Sequence, residues 1–322
     1  MSELIVQPGA QPDSPLSIFI MGPTASGKTD LALSIYDEFP IDLISVDSAL
    51  VYRGMDIGTA KPDVETLRQA PHALIDIIDP DQVYSAGQFC DDALSLMGQS
   101  IENQHIPLLV GGTMLYFNAL QKGMADMPDV PGSVKRAIDQ EAKESGIEAM
   151  HERLTQVDPV SAERIHPNDP QRIRRALELY DSTGKTLTEY WREQGSKTQY
   201  TFPYRRLKIA LVPPDRVELR KRITMRFDMM LQQGFIEEVE SLYRRGDLNV
   251  EMPSIRAVGY RQVWMYLTGE YSYDEMREKA ITATAQLAKR LLTWLRKEEQ
   301  CNFIDPITLN TQKVLKNLNI LL

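Results

Sequence analysis

The segment GPTASGKT, from Gly22 to Thr29, has the glycine, lysine and hydroxyl spacing of a loop that binds phosphate groups. It follows the apolar run IFIM, as such loops follow a strand. Gly22 and Gly27 let the backbone curl so that its N–H groups point inward, and Lys28 adds a positive charge. The helix that begins at Thr29 attracts anions, and its hydroxyl can hold Mg²⁺. The pattern predicts a polyphosphate site, with an ordinary glycine-rich turn as the alternative.

The carboxylate expected near this loop follows a different strand from the one that carries it in ATPases of this class. ATPases of this class hold Mg²⁺ with an Asp at a strand end, but the strand IPLLV ends in Gly111, Gly112 and Thr113. Asp47 instead follows the strand IDLISV, at the edge of the sheet where open α/β folds bind ligands. The sequence therefore disfavours ATP. A capping role for Asp47 and a simple turn role for Thr113 remain the alternatives.

Two arginines stand on an apolar helix face after Asp215. At 100° per residue Arg226 falls within the apolar arc and Arg222 on its edge; the arc comprises Leu219, Ile223, Phe227 and Met230. A charge on a core-facing stripe is costly unless it has a partner, and a diphosphate would be one. The alternative is a packed aliphatic stem whose charged end reaches water.

A second group of cations lies on the helix predicted for NDPQRIRRALELY. Asn168 or Asp169 is its N-cap and Pro170 lies in its first turn. The core stripe comprises Ile173, Leu177 and Tyr180, and the opposite fan comprises Arg172, Arg174 and Arg175. Such a fan suits an RNA backbone, although alone it is more often a solvated face. On the last long helix Lys289, Thr293 and Arg296 share a face opposite Leu287 and Trp294, and we expect Trp294 to be core, with a stacking platform as the alternative.

The elements that position these residues alternate between strand and helix. Buried strands are predicted for SIFIMG, IDLISVDS, ALIDIIDP, IPLLVGGT and LKIALVPP, with a last short strand at CNFIDP. This alternation predicts a parallel, doubly wound α/β sheet. Between its two parts the texture is helical only. We predict a core over residues 1–122, an all-helical insertion over 123–202, and the rest of the core with C-terminal helices over 203–322.

Composition limits the setting. Residues 1–160 hold 9 Lys and Arg against 24 Asp and Glu, whereas residues 161–300 hold 25 against 20. Basic patches that meet phosphates are therefore expected in the second half. Two cysteines cannot form a disulfide framework, and no secretion signal or membrane span is evident. We expect a cytoplasmic monomer without membrane contact.

Several motifs together resemble the tRNA dimethylallyltransferases, also called tRNA isopentenyltransferases. They are GPTASGKT, SVDSALVYRGMDIGTAKP, PLLVGGTMLY, HPNDPQRIRRALE, PSIRAVGYRQ and QLAKRLLTWLR, in that order from residue 18 to about 296. The family commonly has Gln where this chain has Leu291, and often Cys where it has Ala257. Neither departure removes a charge.

The resemblance implies a P-loop core and a reaction. A dimethylallyl group passes from dimethylallyl diphosphate to N6 of the adenosine just 3′ of the anticodon, and the loop holds the diphosphate leaving group with Mg²⁺. It implies Asp47 as the base and Thr113 as the residue that orients the adenine. The expected donor-binding residues are Gly22, Pro23, Thr24, Ala25, Ser26, Gly27, Lys28, Thr29, Arg222 and Arg226, with Thr29 also the metal ligand.

The same resemblance implies that the anticodon stem-loop of tRNA is held by both parts of the chain. The expected contacts are Asp47, Ser48, Ala49, Leu50, Thr113, Lys135, Gln171, Arg172, Ile173, Arg174, Arg175, Arg256, Ala257, Val258, Gly259, Tyr260, Arg261, Lys289, Arg290 and Arg296. The target adenine would have to leave its stack to reach Asp47. Two other functions stay open: a small-molecule kinase using ATP, and an RNA-binding P-loop protein without transfer chemistry.

Overall fold

The computed structural model describes residues 4–124, 127–195 and 200–321. Seven strands form one sheet in the order β1-β6-β2-β5-β3-β4, with β7 beside β6. Every pairing is parallel except that of β1 with β6. The strands are β1 (Val6–Gln7), β2 (Leu16–Met21), β3 (Ile41–Val46), β4 (His72–Ala73), β5 (Ile106–Gly111), β6 (Arg205–Leu211) and β7 (Asn302–Ile304).

Thirteen helices are present in the described residues. They are α1 (Lys28–Tyr36), α2 (Val64–Gln69), α3 (Ala86–Glu102), α4 (Met114–Lys122), α5 (Gly132–Val157), α6 (Pro159–Arg164), α7 (Pro170–Thr183), α8 (Leu187–Gly195), α9 (Arg216–Gln232), α10 (Phe235–Arg244), α11 (Tyr260–Leu267), α12 (Tyr273–Leu295) and α13 (Thr311–Leu321). None of these helices has the length and apolar character needed to cross a membrane.

The chain divides into two compact units. One comprises residues 1–122 and 202–322, and contains the sheet with its helices; the other comprises residues 123–201. Apolar cores cover both faces of the central strands, which is why β2 and β5 are apolar along nearly their whole length. The second unit has its own core, and its described residues form helices without a strand. The predicted fold class, an α/β parallel core with an all-helical insertion, is confirmed.

One predicted strand is wrong. The segment ALIDIIDP contributes only Ala73 to β4 and then leaves the sheet. Leu74 and Asp76 adopt positive φ angles of 64° and 55°, which a strand cannot accommodate. Lys61 forms an ion pair with Asp76, and the backbone N–H groups of Asp76 and Ile77 bond to Leu50 and Val51. Tertiary contacts therefore override the apolar run.

Candidate active site

The phosphate loop adopts the curled backbone that its glycines predict. Ala25 and Gly27 have φ angles of 61° and 78°, and Gly27 is the N-cap of α1. A side chain at Gly22 would place its Cβ 2.6 Å from Ser26 Oγ, so only glycine fits there. Ser26 Oγ is buried and has no hydrogen-bond partner among the described residues. The loop thus closes tightly over the end of β2 while keeping polar atoms for a ligand.

Asp47 and Thr113 are brought together because they follow adjacent parallel strands. The Thr113 N–H donates to the carbonyl of Val46 over 3.1 Å, and the Ser48 N–H donates to Thr113 Oγ1 over 3.0 Å. A Cβ at Gly111 would lie 2.0 Å from the Val46 carbonyl oxygen, so glycine is needed for this close approach. The Ala49 N–H donates to Asp47 Oδ1 over 2.9 Å.

Asp47 therefore caps the backbone of the segment that follows it, which is the alternative to a ligand-binding role given above. Capping uses one carboxylate oxygen, Oδ1, whereas Oδ2 accepts no hydrogen bond from the described residues. The Asp47 side chain also lines the cavity described below. Local capping and a role toward a ligand are thus compatible at this residue.

Two partly or wholly buried cations face this edge of the sheet. Burial lowers the pKa of Lys28; nearby Asp47 opposes that shift, while Arg226 adds to it. Burial likewise lowers the pKa of Arg226, against the opposing charges of Asp30 and Asp47. Lys28 Nζ donates only to the Pro23 carbonyl, over 3.4 Å, and neither cation forms an ion pair within the described residues. An anionic ligand would supply a partner for both side chains and stabilise their charged forms.

These groups line one cavity of about 850 Å³ within the sheet-containing unit. It is large enough for a drug-sized ligand. Nearly all residues expected to bind the donor, and several of those expected to contact tRNA, line it: Pro23, Thr24, Ala25, Ser26, Gly27, Lys28, Thr29, Asp47, Ser48, Ala49, Leu50, Thr113, Arg222, Arg226, Ala257, Val258, Gly259, Tyr260 and Arg290. Gly22 lies below the loop, in contact with Ser26 and Leu211.

The remaining residues expected to contact tRNA, most of them cations, lie outside the cavity lining. In the sheet-containing unit the exposed ones are Arg256, Arg261, Lys289 and Arg296. In the helical unit Lys135, Gln171 and Arg172 are exposed, and Arg174 and Arg175 are half-buried. The three arginines there already have carboxylate partners, at 3.3 Å for Arg172, 3.0 Å for Arg174 and 3.8 Å for Arg175. A phosphate contact would have to compete with these pairs.

Two residues expected to contact tRNA have buried side chains. Ile173 is fully buried in the core of the helical unit, because it is part of the apolar stripe of α7. Tyr260 is fully buried at the start of α11, and its hydroxyl donates to Glu238. Burial beside Glu238 raises the pKa of Tyr260. Tyr260 nevertheless lines the cavity, whereas Ile173 does not.

The assignment of Trp294 to the core is also wrong. Its side chain is 42% exposed and lines the cavity, as does that of Leu287. The sequence placed both on one helix face, but it could not show that this face meets a cavity. Leu115, Thr284 and Leu291 also line the cavity, and their residue types gave no signal of this.

Sequence reasoning also missed how one wall of the cavity is held. The segment Gly58–Ala60 lines the cavity, and the carboxylate of Glu238 accepts the N–H groups of Asp56, Ile57 and Gly58 over 2.9, 2.7 and 3.1 Å. Three consecutive N–H groups around one carboxylate form an anion-binding nest. Glu238 stands 180 residues away in sequence, so local patterns carry no signal for this link.

Oxygen donors near the loop fit a hard divalent cation. The Thr29 hydroxyl and the Asp47 carboxylate line the cavity beside the loop. The described residues contain no cluster of three or more His, Cys, Asp or Glu that could hold a metal alone. Mg²⁺ typically takes one or two protein oxygens and completes its shell with water and substrate phosphates, so this donor set suits it.

Comparison with known proteins gives consistent results. A family model described as IPP transferase matches residues 50–298. A tRNA dimethylallyltransferase from Thioalkalivibrio sulfidiphilus is 59% identical over 286 residues, covering 89% of this chain and 88% of the relative. A tRNA dimethylallyltransferase 2 from Hahella chejuensis is 55% identical over 301 residues, covering 90% and 91%.

Solved structures show the same fold. The full-length tRNA isopentenylpyrophosphate transferase from Bacillus halodurans has a TM-score of 0.68 and 33% identity, covering 96% of this chain and 95% of that one. A eukaryotic dimethylallyltransferase has a TM-score of 0.79 at 24% identity, covering 96% of this chain and 79% of that one. The second likeness concerns the fold alone.

Proposed function

This chain belongs to the IPP transferase family, and we propose that it transfers a dimethylallyl group from dimethylallyl diphosphate to tRNA. Relatives at 55% and 59% identity bear the name tRNA dimethylallyltransferase. The acceptor atom is N6 of the adenosine 3′ of the anticodon, as the motif resemblance implies. Diphosphate is released.

The observation that carries this proposal is the pair of half-buried cations beside the phosphate loop that form no ion pair in the described residues. Lys28 and Arg226 line the same cavity as the loop, and neither has an ion-pair partner in the described part of the chain. When the allylic C1–O bond breaks, the departing diphosphate takes the electron pair. Loop N–H groups and these cations stabilise that charge where it develops, which lowers the barrier.

The acceptor side is built by Asp47 and Thr113. N6 of adenine attacks C1 of the dimethylallyl group, and its surplus proton passes to the Asp47 carboxylate. Oδ2 is the oxygen left for this role, because Oδ1 holds the Ala49 N–H. Thr113 Oγ1 accepts the Ser48 N–H over 3.0 Å, which fixes its position. Its own proton is donated to Ser48 Oγ over a long 3.4 Å, and we propose that it turns to the adenine when the substrate binds.

A divalent cation, which we propose to be Mg²⁺, would be held by the Thr29 hydroxyl and the donor phosphates, with Asp47 near enough to assist. It would supply further neutralisation of the leaving diphosphate. The chain's own residues still bind, orient and deprotonate the substrates as described.

We assign tRNA binding to the helical unit as well as to the exposed cations of the sheet-containing unit. The carboxylate partners of Arg174 and Arg175 fix the positions of their guanidinium groups. A phosphate can replace these partners at a modest free-energy cost, because surface ion pairs are weak. We propose that the chain acts as a monomer in the cytoplasm.

One incubation tests the reaction. Chain, labelled dimethylallyl diphosphate and bulk tRNA are combined with and without Mg²⁺, and label in the RNA is counted. Lys28→Ala and Arg226→Ala are expected to weaken donor binding and to slow transfer. Lys221→Ala, an exposed cation on the same helix as Arg226, is the matched control and should behave as wild type.

Competition with ATP separates the rival kinase function. If ATP binds as tightly as the donor and its phosphate reaches an acceptor, the transfer proposal is wrong. If RNA binds but takes up no label under any metal condition, the chain is an RNA-binding protein without this chemistry.

A further inference from the structure

Two apolar side chains of α12 are exposed at the cavity. Leu287, Leu291 and Trp294 follow one another at spacings of four and three residues, which places them on one helix face. All three line the cavity; Leu291 is buried at 8% exposure, whereas Leu287 is 45% and Trp294 42% exposed. Single exposed apolar side chains are common, but two that line one cavity from the same helix face point to a binding site.

An unpaired cation adjoins this face. Arg290 is exposed and lines the cavity, and within residues 4–124, 127–195 and 200–321 it forms no ion pair. Arg277 on the same helix, in contrast, pairs with Asp228 at 2.6 Å. Arg290 lies four residues before Trp294, so the two side chains are neighbours on the helix surface. An aromatic surface beside a free cation is complementary to a single-stranded nucleic acid.

The position of Trp294 relative to Thr113 follows from the packing of Leu291. A Cβ at Gly112 would lie 3.3 Å from Leu291 Cδ1, so this side chain packs at the residue that precedes Thr113. Trp294 lies three residues further along the helix, about 4.5 Å along its axis. The indole is therefore within reach of a base next to the one held at Thr113.

We propose that Trp294 is a stacking platform for an unpaired nucleobase adjacent to the modified adenosine. Leu287 and Leu291 form the apolar surface beside it, and Arg290 contacts a phosphate that flanks this base. The proposal rests on the proposed function, because it takes RNA as the acceptor. The five-carbon group of the donor is the less suitable occupant, since it is small and aliphatic and has no flat face to stack on an indole.

The first test is RNA affinity. Stacking of one base is lost in Trp294→Ala, so the Kd for an anticodon stem-loop should rise about 5- to 150-fold. Trp294→Phe should retain most of the affinity, whereas Trp294→Leu, which keeps apolar area without a π face, should lose it. The salt slope of binding should stay unchanged in these variants and fall in Arg290→Ala. Donor affinity should change less than threefold in the Trp294 variants.

The second test uses indole fluorescence, because stacking on a base quenches it. The chain has three tryptophans, and Trp264 is buried at 6% exposure outside the cavity lining. Trp191 lies in the helical unit, so the test is made in a Trp191→Phe background. There RNA should quench the chain and its Trp264→Phe variant, but not its Trp294→Phe variant. Melting temperatures of all variants verify that they are folded.

Two results overturn the platform. One is wild-type RNA affinity in Trp294→Leu together with quenching that persists in Trp294→Phe. The other is a loss of donor affinity with unchanged RNA affinity, which would assign this face to the dimethylallyl group. If the wild-type chain itself fails to bind RNA, the proposed function is wrong rather than the platform alone.

Discussion

Removal of the Glu238 carboxylate should destabilise the cavity wall by a calculable amount. In Glu238→Ala the Ile57 and Gly58 N–H groups and the Tyr260 hydroxyl, all part-buried, lose their acceptor. A buried donor without a partner costs about 1–3 kcal/mol. The Asp56 N–H is exposed and can bond to water instead. Taking the lower value for each of three donors gives about 3 kcal/mol.

Graded variants make this estimate specific. Glu238→Gln keeps one carbonyl acceptor while its amide cannot accept, so we expect about 2 kcal/mol. Tyr260→Phe removes one donor and leaves the backbone bonds, so about 1 kcal/mol is expected. Glu237→Ala, its exposed neighbour on α10, should lie within about 0.5 kcal/mol of wild type.

The assay is urea unfolding followed by both fluorescence and circular dichroism, because two units need not unfold together. The midpoint should fall in the order Tyr260→Phe, Glu238→Gln, Glu238→Ala, with an unchanged m-value. A Glu238→Ala variant as stable as Glu237→Ala would refute the nest. Equal losses in Glu238→Gln and Glu238→Ala would show that the single carbonyl acceptor kept in Glu238→Gln contributes nothing.

Three further predictions concern chemistry, RNA and pH. Asp47→Ala should lower the single-turnover rate by about 10²–10⁴ with little change in donor affinity; a rate within a few-fold of wild type would exclude the base. Loss of Arg174 and Arg175 together should weaken tRNA binding and lower its salt slope by roughly one unit per lost phosphate contact. Lys143→Ala, which removes an exposed cation on α5, should lower the salt slope less. An unchanged slope in the double variant would show that both arginines belong to a solvated surface. Burial acts to raise the pKa of Asp158, but bonds from Ser161 and Thr188 outweigh it and the pKa is lowered. This stabilisation is present above the unfolded-state pKa of about 3.9 and is lost as pH falls through the lower folded pKa, so the stability difference between wild type and Asp158→Asn should shrink in that range; a constant difference from pH 7 to 3 would contradict this.

The family and the core of the site were determined by local sequence. The loop GPTASGKT specifies its own curled backbone through glycine, and the resemblance to the tRNA dimethylallyltransferases is confirmed by the family match. Asp47 and Thr113 could be paired in advance because both follow buried strands, and parallel strands end at one edge of a sheet. Periodicity likewise placed Arg222 and Arg226 on the helix face that lines the cavity.

Tertiary structure decided which faces are buried. A helical pattern shows that Leu287 and Trp294 share a face, but only the neighbouring elements determine whether that face meets a core or a cavity. The same limit applies to Tyr260, whose motif suggested contact with RNA and whose side chain is fully buried; the burial of Ile173, in contrast, followed from its place in the apolar stripe of its helix. Burial depends on what packs against a residue, and that partner is distant in sequence.

Long-range polar links were equally inaccessible to sequence. Glu238 binds a loop 180 residues earlier. Lys61 pairs with Asp76 and so holds the segment after β4 out of the sheet. Charged side chains of these types are common on any surface, and only the folded chain brings each to the backbone or carboxylate that it binds. The phosphate loop is specified locally, whereas the wall that encloses its ligand exists only once the chain has folded.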